Sequence, residues 1–313
     1  MKTVGYYPGC SLSGGGVELD LSIRALAQAA EVNLVEIEDW NCCGATAAHN
    51  LNHQLAVALP YRTLALAEEQ GLEVVLAPCA ACFSRLKGTN VRVTRSAELS
   101  AQMAETTERT YGGSVKIINT NEFLALLLKE GLADKLPKRL AGLKVAPYYG
   151  CLLSRDEDVI TDDDAEDPIG MNAAIRAAGA EPVEWNFATE CCGGGFSMSK
   201  TDAVLDLSSQ ILQDAADAGA DVVITSCPMC HSNLDMRQRT IRQAGLGDFQ
   251  MPVLYLSELL GLAAGLDPKD VGLNRHFVDA MDVADQVADV AADEEPTTDE
   301  TETAAATAAE RSS

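Results

Sequence analysis

The sequence predicts an α/β protein made of two tandem units, each with a parallel sheet flanked by helices. Short apolar, strand-like runs alternate with helical patterns, and such alternation is typical of parallel sheets joined by right-handed crossovers. The order of strands and helices in the first half recurs in the second half, and so does an arrangement of five cysteines. The length of 313 residues suits about two domains of ordinary size.

Four short apolar runs in each half are predicted to be strands. In the first half they are residues 4–7, 34–37, 74–77 and 115–118. In the second half they are residues 145–149, 183–185, 221–225 and 253–256. The helical patterns between them indicate that each set of four forms its own parallel sheet.

Helices of the first half are recognised by apolar positions that recur every three or four residues. One follows the glycines at 14–16, and a second spans 52–70, where Pro60 is expected to kink or split it. A polar helix spans 97–109, and the last helix begins just after its expected N-cap, Asn119.

Helices of the second half follow in the same order. Asp167 and Pro168 predict the start of one helix, a second spans 201–218, and a third begins near Glu258. The acidic stretch 156–167 accounts for most of the difference in length between the halves, and it is expected to be a solvated loop.

Three cysteine clusters occur in each half, and each cluster follows a predicted strand. The first set is Cys10, Cys42, Cys43, Cys79 and Cys82, and the second set is Cys151, Cys191, Cys192, Cys227 and Cys230. The spacing Cys-x31-Cys-Cys-x35-Cys-x2-Cys recurs as Cys-x39-Cys-Cys-x34-Cys-x2-Cys, with no cysteine left over. Ligands of parallel sheets bind beyond the carboxyl ends of strands, which is where all three clusters are expected.

Thiolates are soft ligands that select zinc or iron–sulfur clusters. A structural zinc site uses four ligands, so one thiol of each set would be idle. Cubane clusters also take four, and their compact C-x2-C-x2-C motif is absent from the sequence. Five thiols therefore point to an unusual cluster, while zinc in one copy stays open as an alternative. A thioredoxin-like role for the CxxC pairs would leave the adjacent cysteines unexplained.

The repeated Cys…Cys-Cys-Gly…Cys-x-x-Cys pattern resembles the CCG cysteine-rich domain. The two-copy chain is similar to the B subunits of the heterodisulfide reductase family over roughly residues 1–265. This resemblance implies two pseudo-symmetric, Rossmann-like CCG units, residues 1–140 and 141–280. It also implies that each set of five cysteines ligates a noncubane [4Fe–4S] cluster.

The resemblance further implies a function. The two clusters would face each other across a substrate disulfide, such as the coenzyme M–coenzyme B heterodisulfide, and each would deliver one electron. The partners would be the family's ferredoxin-like C subunit and flavin-containing A subunit, since the chain has neither a flavin fingerprint nor a ferredoxin motif. An electron-transfer subunit of a glycolate, lactate, glycerol phosphate or succinate complex is the second hypothesis, and a zinc scaffold without turnover is the third.

A few other side chains are weaker candidates for function. His231, next to Cys230, is either a donor to a cluster or thiolate or an ordinary hydrogen-bonding histidine. His49 and His53 have a spacing that suits a metal if one helix carries both. Lys200 and Arg155 lie near cysteines and are candidates for binding an anionic substrate, although solvated surface charge is the simpler interpretation.

The formal net charge is −24, and the segment from Asp282 onward carries −9 of it. Such acidity argues against binding to nucleic acid or to an anionic membrane surface, because both partners require Lys and Arg. An acidic, salt-adapted proteome is the simplest explanation for this charge. The acidic tail, residues 281–313, lacks apolar periodicity and is predicted to be disordered.

The sequence begins without the apolar core of a signal peptide, and its longest apolar run, 253–266, is too short to span a bilayer. We therefore expect a cytoplasmic protein without a membrane span. Ten cysteines in that compartment are more typical of metal or redox groups than of structural disulfides.

Overall fold

A computed structural model describes residues 2–45, 48–136, 140–155, 158–160 and 163–285. Within these residues, eight strands form two parallel sheets of four strands each, so the predicted fold class is confirmed. The strands of the first sheet are β1 (Lys2–Tyr6), β2 (Val32–Glu36), β3 (Val74–Leu76) and β4 (Lys116–Ile118). The strands of the second sheet are β5 (Lys144–Tyr148), β6 (Glu181–Pro182), β7 (Val222–Thr225) and β8 (Val253–Tyr255). We call the halves that contain these sheets the first unit and the second unit.

The two sheets have the same topology. Their strand orders are β2-β1-β3-β4 and β6-β5-β7-β8, and every neighbouring pair is parallel. The central strands are largely buried, and they read as apolar runs because helices cover both faces of such sheets.

Helices connect the strands in both units. Those of the first unit are α1 (Gly9–Leu12), α2 (Val17–Ala29), α3 (Ala48–Leu51), α4 (His53–Glu69), α5 (Ala80–Arg95), α6 (Ala97–Thr107) and α7 (Thr120–Leu127), with a π-helical turn at Leu128–Leu132 and a 3-10 turn at Ala133–Lys135. Those of the second unit are α8 (Gly170–Ala177), α9 (Thr201–Asp217), α10 (Pro228–Asp235), α11 (Gln238–Gln243) and α12 (Leu256–Ala263), with 3-10 turns at Gly194–Phe196 and Leu273–Arg275.

Two helix starts in the first unit have asparagine caps, of which the one at Asn119 was predicted. Helix α4 starts after Asn52, whose side chain accepts hydrogen bonds from the N–H groups of Gln54 and Leu55. Asn119 and Glu122 form a capping box at the start of α7. By contrast, the proline within α4 does not split the helix, which continues from His53 to Glu69.

Other expectations were wrong. Helix α8 begins at Gly170, so Asp167 and Pro168 precede it rather than start it. The carboxylate of Asp163 holds the helix start instead, because it accepts hydrogen bonds from the N–H groups of Ile169 at 2.9 Å and Gly170 at 2.8 Å. The acidic stretch 156–167 is not wholly solvated, since the side chains of residues 159 and 160 are buried within its described part.

Helices α5 and α10 were missed by the sequence reasoning, although each carries the last cysteine of its set. Both begin one residue after a cysteine, at Ala80 and Pro228. Polar and small residues interrupt their apolar periodicity, so the sequence indicates these helices only weakly.

The tail was predicted to span residues 281–313. From position 286 onward it lies outside the described residues.

The two units pack through helices that occupy equivalent places in them. Helix α2 of the first unit packs on α12 of the second, and α7 of the first packs on α8 of the second. Since α2 corresponds to α8 and α7 to α12, the units are related by an approximate two-fold axis. In the described part of the chain, no helix is both long and apolar enough to cross a bilayer.

A buried pair of serines links the units, and it yields a prediction. The hydroxyl oxygens of Ser22 and Ser257 are 2.7 Å apart, both residues are fully buried, and the Ser22 hydroxyl also contacts the Leu19 carbonyl at 3.2 Å. Ser22 therefore donates to Leu19, and Ser257 donates to Ser22. We expect Ser22→Ala to lower the free energy of unfolding by about 1–3 kcal/mol, because it leaves the Ser257 hydroxyl buried without a partner.

The matched variants are Ser257→Ala and the double variant. We expect Ser257→Ala to lower the free energy of unfolding less than Ser22→Ala does, and the double variant to recover part of the stability that Ser22→Ala loses. Urea unfolding under anaerobic conditions measures all three free energies. Strictly additive losses would show that the two hydroxyl groups do not interact across the boundary.

Candidate metal centres and the cleft between them

The strand order brings three cysteine-bearing loops together in each unit. In the first unit, β2, β1 and β3 lie side by side, and the chain carries its cysteines directly beyond their carboxyl ends. The edge strand β4 is followed by α7, which has no cysteine. Strands β6, β5 and β7 repeat this arrangement in the second unit. Parallel strands place their carboxyl ends at one edge of the sheet, so three loops converge there.

The first set of thiols forms a connected group. The Sγ atoms of Cys43 and Cys82 are 3.2 Å apart, and Cys82 also hydrogen-bonds with Cys79. Cys10 hydrogen-bonds with Cys42 at the exposed side of the group.

The second set repeats these contacts in the same pairing. The Sγ atoms of Cys192 and Cys230 are 3.5 Å apart, Cys230 hydrogen-bonds with Cys227, and Cys151 with Cys191. All ten cysteines are free thiols, and the sulfur separations are well beyond the length of a disulfide bond, about 2.05 Å.

The thiols of each set share protons. The hydrogen bond from Cys82 lowers the pKa of Cys79 to about 6, and its bonds to Cys43 and Cys79 raise the pKa of Cys82 itself. In the second set, the hydrogen bond from Cys151 lowers the pKa of Cys191 to about 5 and raises that of Cys151. Five sulfurs this close cannot all ionise without positive charge among them, and metal ions bound to thiolates supply that charge.

Two glycines make room for the sulfur at the end of each set. Gly9 and Gly150 stand directly before Cys10 and Cys151, with φ angles of 61° and 63°. A Cβ at Gly9 would be 3.0 Å from the Sγ of Cys82, and a Cβ at Gly150 would be 3.0 Å from the Sγ of Cys230. The backbone therefore approaches sulfur at positions that only glycine occupies without strain.

A second pair of glycines follows the adjacent cysteines. Gly44 and Gly193 have φ angles of 74° and 76°. Their N–H groups donate to the first sulfur of each adjacent pair, Cys42 and Cys191, at 3.4 Å in both units. Backbone donors therefore face sulfur at these glycines, where they can stabilise negative charge.

Tyrosines fix the loops that carry the adjacent cysteines. The hydroxyl of Tyr7 donates to the carbonyl of Asn41, and that of Tyr148 donates to the carbonyl of Glu190, both at 2.7 Å. Each carbonyl belongs to the residue just before the Cys-Cys pair. Both halves have a tyrosine two residues before the glycine of a Gly-Cys pair, as Tyr7 before Gly9 and Tyr148 before Gly150. An alignment of the two halves would therefore have identified these tyrosines and glycines from the sequence.

A cleft between the units opens onto the second set. A cavity of about 650 Å³ is lined by all five of these cysteines and by residues Ala80, Ala81, Ser84 and Arg85 of α5. A neighbouring cavity of about 430 Å³ is lined by Ser11 and Gly15 from the first unit and by residues of α10. Both cavities are lined by Ser197 and Met229, so they are parts of one cleft.

The lining of this cleft differs in charge from the rest of the protein. Its described residues include two arginines, Arg85 and Arg237, and no carboxylate. Arg237 donates to the Asn233 side chain and to the Ser197 carbonyl. The hydrogen bond from Cys82, and to a smaller extent the positive charge of Arg85, lowers the pKa of Cys43.

His231 is a buried hydrogen-bonding histidine. Its Nε2 lies 2.9 Å from the Val253 carbonyl and 3.2 Å from Nδ1 of His276, and burial lowers the pKa of His231 to about 3. His276 in turn contacts the buried carboxylate of Glu258 at 2.9 Å. His231 thus belongs to a hydrogen-bonded network behind the cysteines rather than to the cleft surface.

The remaining candidates are two histidines and two basic residues. His49 and His53 stand on different helices, α3 and α4, so their spacing does not place them on one helical face. Lys200 is exposed beside the ring of Phe196. Arg155 is exposed, donates to the Thr189 carbonyl, and contributes to lowering the pKa of Cys191 after the larger effect of Cys151.

The donor sets fit iron–sulfur groups. Each has five thiols that are linked by pairwise sulfur contacts into a group of three and a group of two, one glycine at close approach to sulfur and one backbone N–H directed at sulfur. These are the features that bulky groups containing inorganic sulfide require.

Comparison with known proteins agrees with this chemistry. A family model of the CCG cysteine-rich domain matches residues 4–87 and 145–235, which confirms the resemblance recognised from the cysteine pattern. A crystal structure of a hypothetical protein from Helicobacter pylori has the same fold, with a TM-score of 0.67 at 12% identity; the match covers 89% of this chain and 52% of that chain.

Curated relatives extend over nearly the whole chain. The 8-methylmenaquinol:fumarate reductase membrane anchor subunit of Wolinella succinogenes is 32% identical over 281 residues, 89% of this chain and 98% of the relative. The B subunit of a ferredoxin/F420H2-dependent CoB–CoM heterodisulfide reductase from Methanosarcina acetivorans is 25% identical over 301 residues, 93% of this chain and 99% of the relative. A protein from Archaeoglobus profundus, named as being like the B subunit of heterodisulfide reductase, is 27% identical over 285 residues, 87% of this chain and 93% of the relative.

The close approach of backbone to sulfur yields a prediction. We expect Gly150→Ala to reduce the iron content of the anaerobically purified protein by about half, because the new Cβ displaces Cys230 in one of the two sets of thiols. Gly219→Ala is the matched control: Gly219 has a φ of 75°, and a Cβ there meets no atom within 4 Å. It imposes the same backbone strain without touching sulfur, so equal iron loss in both variants would show that strain alone is responsible.

Proposed function

The chain belongs to the family of CCG cysteine-rich domain proteins, and from this premise we propose that it is the iron–sulfur subunit of an oxidoreductase complex and cleaves a disulfide reductively in the cleft between its units. The observation that carries the proposal is the cavity of about 650 Å³, because all five cysteines of one set and the helix bearing Cys82 of the other line it. A disulfide bound there contacts both units at once. Cleavage follows RSSR′ + 2e⁻ + 2H⁺ → RSH + R′SH.

Each set of five cysteines would hold one noncubane [4Fe–4S] cluster. The two bound clusters would supply the two electrons that scission of one S–S bond consumes. The chain itself contributes the rest of the site. The glycines at 9 and 150 let the backbone surround each group, and the N–H groups of Gly44 and Gly193 direct positive charge toward sulfur.

The cleft selects its substrate through charge and shape. Arg85 lies half-buried on the cavity wall, and the described lining has no carboxylate to oppose an anion. Phe196 and Met198 on the same lining are half and almost fully exposed, and they offer an apolar surface for a thiol substituent. A disulfide with anionic substituents, of which the coenzyme M–coenzyme B heterodisulfide is an example, suits this combination.

Electrons reach the clusters from other proteins in this proposal. The proposed partners are a ferredoxin-like C subunit and a flavin-containing A subunit, because relatives of this chain are named as parts of heterodisulfide reductases. The proposed compartment is the cytoplasm, and it rests on the use of ten free thiols as ligands.

A second candidate is favoured by one relative. The fumarate reductase subunit of Wolinella succinogenes is 32% identical and is matched over 98% of its length. In that case the chain is an electron-transfer subunit of a succinate- or fumarate-type complex, and the same clusters pass electrons without cleaving a disulfide.

Metal content and disulfide-dependent oxidation test the proposal together. We expect about eight irons, matching acid-labile sulfide and no zinc per chain after anaerobic purification, because each unit holds four irons. After reduction by a viologen dye, the protein should be reoxidised by the coenzyme M–coenzyme B heterodisulfide, with release of two thiols per two electrons. Full iron content without oxidation by any disulfide would favour the electron-transfer candidate. Zinc in place of iron would refute both the disulfide-cleaving and the electron-transfer function.

Removal of the cleft arginine tests the substrate class. We expect Arg85→Met to lower kcat/KM for an anionic disulfide about tenfold or more, since a charge-assisted hydrogen bond is lost. Arg92→Met is the matched control, because it removes the same charge from an exposed position on the same helix. Arg85→Lys should retain part of the activity. If Arg85→Met and Arg92→Met behave alike, Arg85 does not bind the substrate.

A further inference from the structure

Tyr255 carries a polar atom that the described structure leaves without a partner. The residue ends β8 and is fully buried, and its hydroxyl oxygen has no hydrogen bond among the described residues. Burial of a hydroxyl without a partner costs free energy, so such an atom requires an explanation, and a group bound beside it is one. The question is which group this hydroxyl faces.

The hydroxyl lies at the boundary between the units. A Cβ placed on Gly16 of the first unit would be 3.6 Å from the hydroxyl oxygen of Tyr255, 3.4 Å from the carbonyl oxygen of Ser11 and 3.0 Å from Cβ of Pro228. The hydroxyl of the second unit therefore reaches contact distance of Gly16 in the first unit, and the tightest approach at this glycine is to Pro228.

The neighbours of this boundary point connect it to equivalent cysteines of the two sets, because Ser11 contacts the Sγ of Cys79 and Pro228 directly follows Cys227. Cys79 and Cys227 hold the same place in their units, one residue before α5 and one residue before α10. The charges of both act on the Tyr255 hydroxyl, and Ser11 beside it contacts the Sγ of Cys79 at 3.6 Å. The corresponding position of the first unit is Asn119, the N-cap of α7, so Tyr255 has no tyrosine counterpart there.

The ring is held in this orientation from behind. It stacks on the imidazole of His231, with ring centroids 4.3 Å apart and an interplanar angle of 18°. His231 is fixed by the Val253 carbonyl and by His276, which is fixed by Glu258. Because the ring of Tyr255 is fixed by these contacts, its hydroxyl points in one direction only.

We propose that the Tyr255 hydroxyl donates its one hydrogen bond to an iron–sulfur group, at Cys79 or at Cys227, and that it raises the reduction potential of that group. Tyr255 thus tunes the electronic properties of one site and is not a group that reacts. The proposal rests on the iron–sulfur part of the proposed function, and it holds whether the electrons go to a disulfide or to another acceptor.

The chemistry of the phenol suits a permanent donor. Burial, with smaller contributions from Glu18, Glu258 and the two cysteines, raises the pKa of Tyr255 well above its usual value. The hydroxyl therefore keeps its proton throughout the working pH range. A donor directed at cluster sulfur stabilises the more negative, reduced state, and this raises the reduction potential.

Redox titration of the loaded full-length chain tests the role of Tyr255. The variant is Tyr255→Phe, which keeps the ring and its stacking on His231. The matched control is Tyr111→Phe, which removes a buried hydroxyl that donates to Asn90, at a place away from the cysteines. Visible absorption and electron paramagnetic resonance follow the reduction of the clusters at controlled potentials.

We expect Tyr255→Phe to bind the full complement of iron and to shift at least one cluster to a more negative midpoint potential. Tyr111→Phe should titrate like the unaltered protein. Midpoints that stay unchanged in Tyr255→Phe at full iron content overturn the proposal, and so does loss of iron from this variant, since the hydroxyl would then serve assembly. Absence of iron from the unaltered protein would instead refute the iron–sulfur sites themselves.

Discussion

Close approach of the backbone to five sulfurs at one edge of a sheet is the constraint on which the rest of this structure depends. Three neighbouring strands must end beside one another, and the loops beyond them must turn sharply enough to leave space for Sγ atoms 3.2–3.5 Å apart. Gly9 and Gly150 satisfy this requirement with left-handed backbone angles. Tyr7 and Tyr148 hold the loops by their main-chain carbonyls, so the cysteine side chains remain free to act as ligands.

The two units share this framework, and they differ in the polar residues placed around it. Asn233 donates to the carbonyl and Sγ of Cys192, whereas the equivalent position in the first unit is Arg85, whose charge acts on Cys43. Tyr255 and His231 likewise have no counterpart of the same type. The second unit thus uses neutral hydrogen bonds where the first presents a positive charge to the cleft. Such differences allow two similar metal sites to have different potentials, because hydrogen bonds and charges near sulfur tune them.

The repeated pattern of sequence was sufficient to predict the sheets and the grouping of the thiols, although β6 (Glu181–Pro182) lies just before its predicted range, 183–185. The apolar pattern of the strands and the order of the cysteine clusters can both be read from local sequence. Because both recur in the second half, each half supports the prediction made for the other. The cleft could not be predicted, because it depends on how α2 packs on α12 and α7 on α8. Arg85 and Tyr255 acquire their roles only through this packing, which brings residues from distant parts of the chain together. The start of α8 was misplaced because a carboxylate several residues upstream, Asp163, replaces the local cap.

The charge of the protein and the charge of its cleft act over different distances. With 47 acidic and 23 basic residues, the surface repels anions, but salt screens this repulsion beyond roughly 8–10 Å under physiological conditions. Inside the cleft, screening is weaker and the described lining presents arginine without carboxylates. An anionic molecule that reaches the cleft therefore meets attraction there, beside the cysteines. Attraction of an anion is thus a property of the boundary between the units, while the acidic exterior favours solubility.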